Sequence, residues 1–284
     1  MMHLITPSQL KESASSSPLV KTTQWIEGFL AKPHADLGRS GLVCPFVPRS
    51  LKLETIQMVE LSTQNVSQTE IESLVKECRE LFLKQFPQQG KLAIYKALLL
   101  VFPDIQDEQC DVIDRVQQTL KPFFVEKGLM LGEFHRFNQS PGLHNPDFRP
   151  LQSPVPMLAI RFMTEADLPF LSRVTDCPRV RVKYLESYLD QMTTIVASTK
   201  LTTAKHALAQ ARYEAQISDR IPESIQLTSE STSESISKCP VKRLGAFLQQ
   251  TSVVVRNSFE RAQKRLQNLL RQAVPKLLGL LLSS

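Results

Sequence analysis

Two apolar runs, Leu129–Phe134 and Val155–Phe162, frame a loop rich in His, Asn, Arg and Pro, and no other feature constrains the fold as much. Apolar runs of this length bounded by Gly and Pro read as buried strands. A polar loop held between two buried strands is a usual place for a functional site. This loop carries His135, His144, Asn145, Asp147 and Arg149.

The flanking chain fits elements around those strands. Thr22–Ala31 reads as a short amphipathic helix, with Trp25, Ile26, Phe29 and Leu30 on one face. Leu51–Leu61 alternates partly and reads as a strand. Ser67 or Thr69 opens a helix that runs to about Phe86, with Glu70 and Glu72 in the first turn as the helix dipole prefers. Its apolar stripe is Ile71, Leu74, Val75, Cys78, Leu81 and Phe82, which makes Cys78 a core cysteine. Ala97–Phe102 is a continuous apolar run, as a strand covered on both faces requires. Asp107–Phe124 reads as a second helix, with Cys110, Ile113, Val116, Gln117 and Leu120 near one face. Arg179 to about Gln216 reads as helical.

Strands alternating with helices predict an α/β (or α+β) fold. The expected core is a mixed, mostly parallel central sheet of about four strands flanked by helices, with a separate C-terminal amphipathic helix. Composition divides the chain further. Residues 1–21 are Ser-rich and expected to be disordered, 22–216 form the α/β domain, 217–240 are a Ser/Thr/Glu-rich linker, and 241–284 are a basic helical tail.

Charge separates that tail from the body. The chain of 284 residues carries a formal net charge of +6. From Val241 onward, eight Lys and Arg against the single Glu260 give +7, so the preceding 240 residues sum to −1. A nucleic-acid-binding body needs a basic face of its own, so no nucleic acid is expected as a partner. Within Leu244–Leu282, Val255, Phe259, Ala262, Leu266, Leu269, Leu270, Ala273 and Leu277 recur mostly every three or four residues, and Pro275 breaks the pattern. An apolar stripe opposite a cationic face predicts docking on an anionic membrane surface or on a protein partner. The five cysteines form no CxxC pair, and the N-terminus lacks the apolar stretch of a secretory signal. The expected location is the cytoplasm, with peripheral membrane association through the tail. No run of about 20 apolar residues predicts a membrane-spanning helix.

Chemistry-bearing residues gather in two loops. The segment from His34 to Phe46 holds His34, Asp36, Arg39 and Cys44 around Gly38 and Gly41. His135 directly follows a strand, and in open α/β sheets ligands bind outside the carboxyl ends of strands. His135 and Cys44 are the candidate catalytic residues, as a base and nucleophile pair or as two axial haem ligands. His34, Arg39, His144, Asn145, Arg149 and Arg161 are the candidate ligand-binding residues. The three arginines suit an anionic substrate, against the alternative that they pair with Asp36, Asp147 and Asp167. His135, His144 and Asp147 offer a loosely spaced two-His-one-carboxylate metal set, with a hydrogen-bonded loop cluster as the alternative. Dinucleotide, phosphate-loop, zinc-protease and α/β-hydrolase signatures are absent.

The segments HADLGRSGLVCPF, FPDI, GLMLGEFH, PGLHNPDFRPL and SPVPMLAIRFM resemble an uncharacterised bacterial domain-of-unknown-function family with this motif order, over about Trp25 to Leu171. A fainter likeness is to the YqcI/YcgG family, through the Cys-Pro-Phe segment and the Phe-Pro strand end. One branch of that family is known as haem-dependent N-oxygenases, so this likeness implies haem and oxidation. The Trp-rich later motifs of that family are missing here. Two functional expectations follow. One is a small-molecule-binding domain, in its sharper form a haem- or metal-dependent oxidative enzyme of a biosynthetic pathway. The other is a non-catalytic module recruited to a membrane or protein partner by its basic tail.

Overall fold

In the computed structural model, which describes residues 3–10, 16–86, 90–193 and 198–220, a four-stranded mixed sheet is flanked by helices. The chain divides into two units, 1–213 and 214–284, and of the second only 214–220 fall within the described residues.

The first helix, α1 (Pro18–Trp25), starts earlier than the apolar pattern predicts. Ser17 caps it by accepting a hydrogen bond from the Val20 N–H, and Pro18 occupies the first turn, where a missing N–H costs nothing. A π-helical turn, Ile26–Leu30, continues it. The stretch expected to be one strand, Leu51–Leu61, is divided between α2 (Val47–Lys52) and β1 (Ile56–Glu60). Glu54, at φ 53°, makes the turn between them. Next come α3 (Gln68–Gln85), β2 (Ala97–Val101), α4 (Asp111–Val125), β3 (Leu129–Phe134) and β4 (Met157–Phe162). A capping box between Ser67 and Glu70 fixes the start of α3. The expected helix 179–216 is two helices, α6 (Pro178–Met192) and α7 (Ser198–Arg220), after the short α5 (Leu168–Leu171).

Strand order is β1-β2-β4-β3. The expected parallel majority is not present: β1 and β2 are parallel, whereas β4 runs antiparallel to both β2 and β3. The reason is the connection. Parallel neighbours need a crossover of about a dozen residues or more, usually a helix. Residues 135–156, between β3 and β4, contain no helix, so β4 turns back against β3. β1, β2 and β3 still point the same way, so their carboxyl ends share one edge of the sheet.

Alternation along the strands gives the sheet two apolar faces. Leu98, Leu100, Leu129, Leu131, Leu158 and Ile160 pack under α3 and α4. These helices supply Ile71, Val75, Cys78 and Phe82 from one, and Ile113, Val116, Leu120 and Phe124 from the other. Burial pushes the Cys78 thiol up to about 12, as befits a core cysteine. Met58, Leu99, Val101 and Met157 pack on the opposite face, beneath α1 and the π-helical turn. Within the segment expected to be disordered, the described residues 3–10 lie against the sheet. Ile5 exchanges backbone hydrogen bonds of 2.9 and 2.8 Å with Met58, covering the free edge of β1. Its few apolar residues explain this, since Leu4 and Leu10 find burial against the two core clusters. The linker (apart from the end of α7) and the tail, including the predicted helix 244–282, lie outside the described residues.

Candidate functional site

A polar seam runs where α4 lies along the edge strand β3. The stripe of α4 that faces the core holds Ile113, Val116 and Leu120; the neighbouring stripe is Asp114, Gln117 and Lys121, spaced three and four apart. On β3, alternation places Leu129, Leu131 and Glu133 on the α4 side, and His135 continues that series beyond the strand end. The two rows meet. The Asp114 carboxylate lies 3.1 and 3.2 Å from His135 Nε2, and Gln117 Nε2 donates to the Leu131 carbonyl at 2.9 Å. Lys121 donates to the Phe170 carbonyl at 3.0 Å, pairs with Asp176 at 3.6 Å and lies over the Tyr184 ring.

His135 is the centre of this seam. It is 3% exposed. A carboxylate can only accept, so the neutral imidazole carries its proton on Nε2 toward Asp114 and leaves Nδ1 as a bare lone pair. That Nδ1 is buried and has no hydrogen-bond partner among the described residues. Two neighbours have displaced proton affinities. Burial, with the Asp114 charge adding to it, holds the Glu133 carboxyl above its usual range, although its own backbone N–H donates to it. The Ser140 hydroxyl donates to Glu133 at 3.4 Å. Burial lowers Lys121, opposed by the Asp176 charge.

The two loops singled out in the sequence do meet each other. Asn145 Nδ2 donates to the Asp36 carbonyl at 2.8 Å, and the His34 ring lies 4.8 Å from that of Phe148, centroid to centroid. Gly38 sits at φ 75° directly under the His144 carbonyl, where a Cβ would stand 2.6 Å from the oxygen. Replacing Gly38 with Ala is therefore expected to cost more than about 1 kcal/mol, from left-handed backbone strain and a clash with a backbone atom. A lowered urea midpoint checks this; an unchanged midpoint would mean the seam between the loops is soft.

The arginines are taken up by the fold. Arg39 donates to the Ser40 and Leu42 carbonyls at 3.0 and 2.9 Å, and Arg149 to the Phe148 carbonyl at 3.2 Å. Arg161 forms a two-pronged pair with Asp167 at 2.8 and 2.6 Å. Asp167 is thus the predicted alternative partner, while Arg39 and Arg149 knit their own loops instead. His144 is exposed. Among the described residues no group of three or more His, Cys, Asp or Glu is placed to hold a metal ion, so His135, His144 and Asp147 do not assemble.

Cys44 and His135 are not partners. Cys44 packs with the cluster of Met58, Leu99 and Met157, and its N–H donates to the Leu30 carbonyl at 2.9 Å. His135 turns to α4 on the other face, with the sheet between them. A nucleophile–base pair does not form from these two side chains, and a haem held axially by both does not fit.

The chain belongs to the DUF6875 family. This is a family of domains of unknown function, and it matches residues 19–202. No curated protein and no solved structure matches the chain. The DUF6875 region contains both loops and the whole α4–β3 seam, and leaves the basic tail outside. Among the described residues no helix is long and apolar enough to cross a membrane.

Sequence reasoning named His135 of the DUF6875 domain as a candidate and did not name its neighbours along the seam, Asp114, Glu133 and Lys121. Two signals were present. Glu133 and His135 are two apart at the end of a strand, which puts both on one face. Asp114 is three and seven residues before Gln117 and Lys121, which marks a polar stripe beside the apolar one.

Proposed function

We propose that this domain binds a small molecule and moves a proton on it, with His135 as the exchanging group and Asp114 as the residue that orients its ring. The observation that carries the reading is the buried Nδ1 of His135 without a partner, opposite an Nε2 held by a carboxylate. Leaving a buried polar atom unpaired costs about 1–3 kcal/mol, which a histidine kept only for packing has no reason to incur. Glu133, held more protonated than a free carboxyl, adds a second acid–base group on the same face. No electron carrier enters this reading, and an oxidative version would need one.

The test uses the full chain and ligand-observed NMR with a mixture of small carboxylic acids, amines and carbonyl compounds. At least one compound should lose its saturation-transfer signal in His135→Gln while far-UV circular dichroism stays unchanged. Asp114→Asn should weaken the signal without abolishing it, because an amide can turn its NH2 group toward Nε2 and no longer fixes the tautomer of the ring. A His135→Leu protein that is more stable and binds every compound as before would identify a histidine that only fills the core.

A second reading rests on charge alone. We propose that residues 241–284, with a net +7 beside a body of −1, recruit the domain to an anionic membrane surface or protein partner.

A further inference from the structure

A cleft of about 330 Å³ opens at the carboxyl edge of the sheet, between the end of β2, the start of β4 and α1. Its residues are distinct from the α4–β3 seam, so it stands or falls independently of the acid–base reading. Val155 and Ile105 belong to the two opposite core clusters, 6% and 7% exposed, so the cleft's apolar part is anchored from both faces of the sheet. Pro103 and Pro156 stiffen the walls and bring no N–H donor. Polar recognition therefore falls to side chains. Gln106 donates to the Asp104 carbonyl at 3.2 Å, and Asp107 accepts from Arg136 at 3.2 Å, so both are committed. Lys21 on α1 and Glu108 after β2 are the two lining charges that no described hydrogen bond or ion pair takes up.

We infer that this cleft binds a small zwitterion of the α-amino-acid class. Lys21 takes the carboxylate, Glu108 the ammonium, and Val155 with Ile105 the apolar side chain. Three observations converge. The two available charges are of opposite sign and rise from different elements, as a zwitterion's two ends require. The volume lies at the low end of small-ligand pockets, which run about 300–1,000 Å³. Four prolines, Pro18, Pro103, Pro154 and Pro156, hold the lining backbone, so little ordering opposes binding of so small a molecule. The cleft also occupies the edge where open α/β sheets bind ligands, outside the carboxyl ends of the parallel strands.

The probe is L-valine, titrated by calorimetry into the full chain beside L-valinamide, which lacks the carboxylate, and N-acetyl-L-valine, which lacks the ammonium. L-valine should saturate below about 10 mM, with each blocked analogue at least about tenfold weaker. Lys21→Ala should bring L-valine down to the level of the amide, and Glu108→Gln down to that of the acetylated form. Both substitutions are on exposed side chains, so folding is not at risk. Absence of saturation by L-valine, equal affinity for the blocked analogues, or unchanged affinity in both variants would each overturn the proposal.

Discussion

Replacing Asp167 with Ala should destabilise the domain by about 3 kcal/mol, read as a lowered urea midpoint with unchanged slope. The Asp167 carboxylate is 2% exposed and accepts from both Arg161 prongs. It also accepts from the Thr164 N–H at 2.7 Å and the Thr164 hydroxyl at 3.1 Å. Removing it strands two kinds of donor. Thr164 is buried, and its N–H would lose its acceptor. Arg161 is 35% exposed, so water recovers part of the loss, which places the effect at the low end for broken buried pairs. The position matters because it ties β4 to the helical layer. The Tyr188 hydroxyl on α6 donates to the Glu165 carbonyl at 3.0 Å, one turn from the same node. Asp167→Asn should fall between wild type and Asp167→Ala, since an amide oxygen still serves Thr164 while the ion pair is lost. A variant as stable as wild type would mean Arg161 is free for another partner, as its candidacy for a substrate anion supposed.

That pair also illustrates how far the sequence carried. Arg161 and Asp167 are six apart across a strand end, close enough for pairing to be weighed, and the structure makes it. The helix from Ser67 and the runs at Ala97, Leu129 and Val155 were legible because each has one dominant period and a clear boundary. Leu51–Leu61 was not, because its alternation begins inside α2 and the break is a non-glycine residue at positive φ, Glu54. The direction of β4 was written in the absence of a helix between residues 135 and 156, a stronger signal than the general alternation of helices and strands. The site was legible as a region. Its chemistry was not, because Asp114 comes from a helix that contacts β3 only in the fold, and charge on a helix flank ordinarily means solvent. Cys44 and His135 looked like partners because their polar, Gly/Pro-rich loops flank strands of the same domain, and sequence does not say which face of a sheet a loop covers.

Full-length protein should float with anionic vesicles at low salt and lose that association when Arg261, Lys264, Arg265 and Arg271 are all changed to Gln. Each basic residue near an anionic bilayer contributes about 1 kcal/mol, so four removals amount to about 4 kcal/mol, close to a thousandfold in partition. The apolar residues Phe259, Ala262, Leu266, Leu269, Leu270 and Ala273 recur at three and four, so the segment also offers a hydrophobic stripe for the lipid interface. The two contributions separate by salt. Raising ionic strength shortens the screening length from about 30 Å at 0.01 M to about 8 Å at 0.15 M, which weakens the charge term and leaves the apolar term. Wild type should therefore show a steep salt dependence that the four-Gln variant lacks, and neutral vesicles should bind both proteins equally and weakly. The competing outcome is a stripe that pairs with a second copy of itself. Flotation would then be absent at every salt concentration, and sedimentation would show a dimer lost on changing Leu266 and Leu270 to Ser, with the four-Gln variant still dimeric.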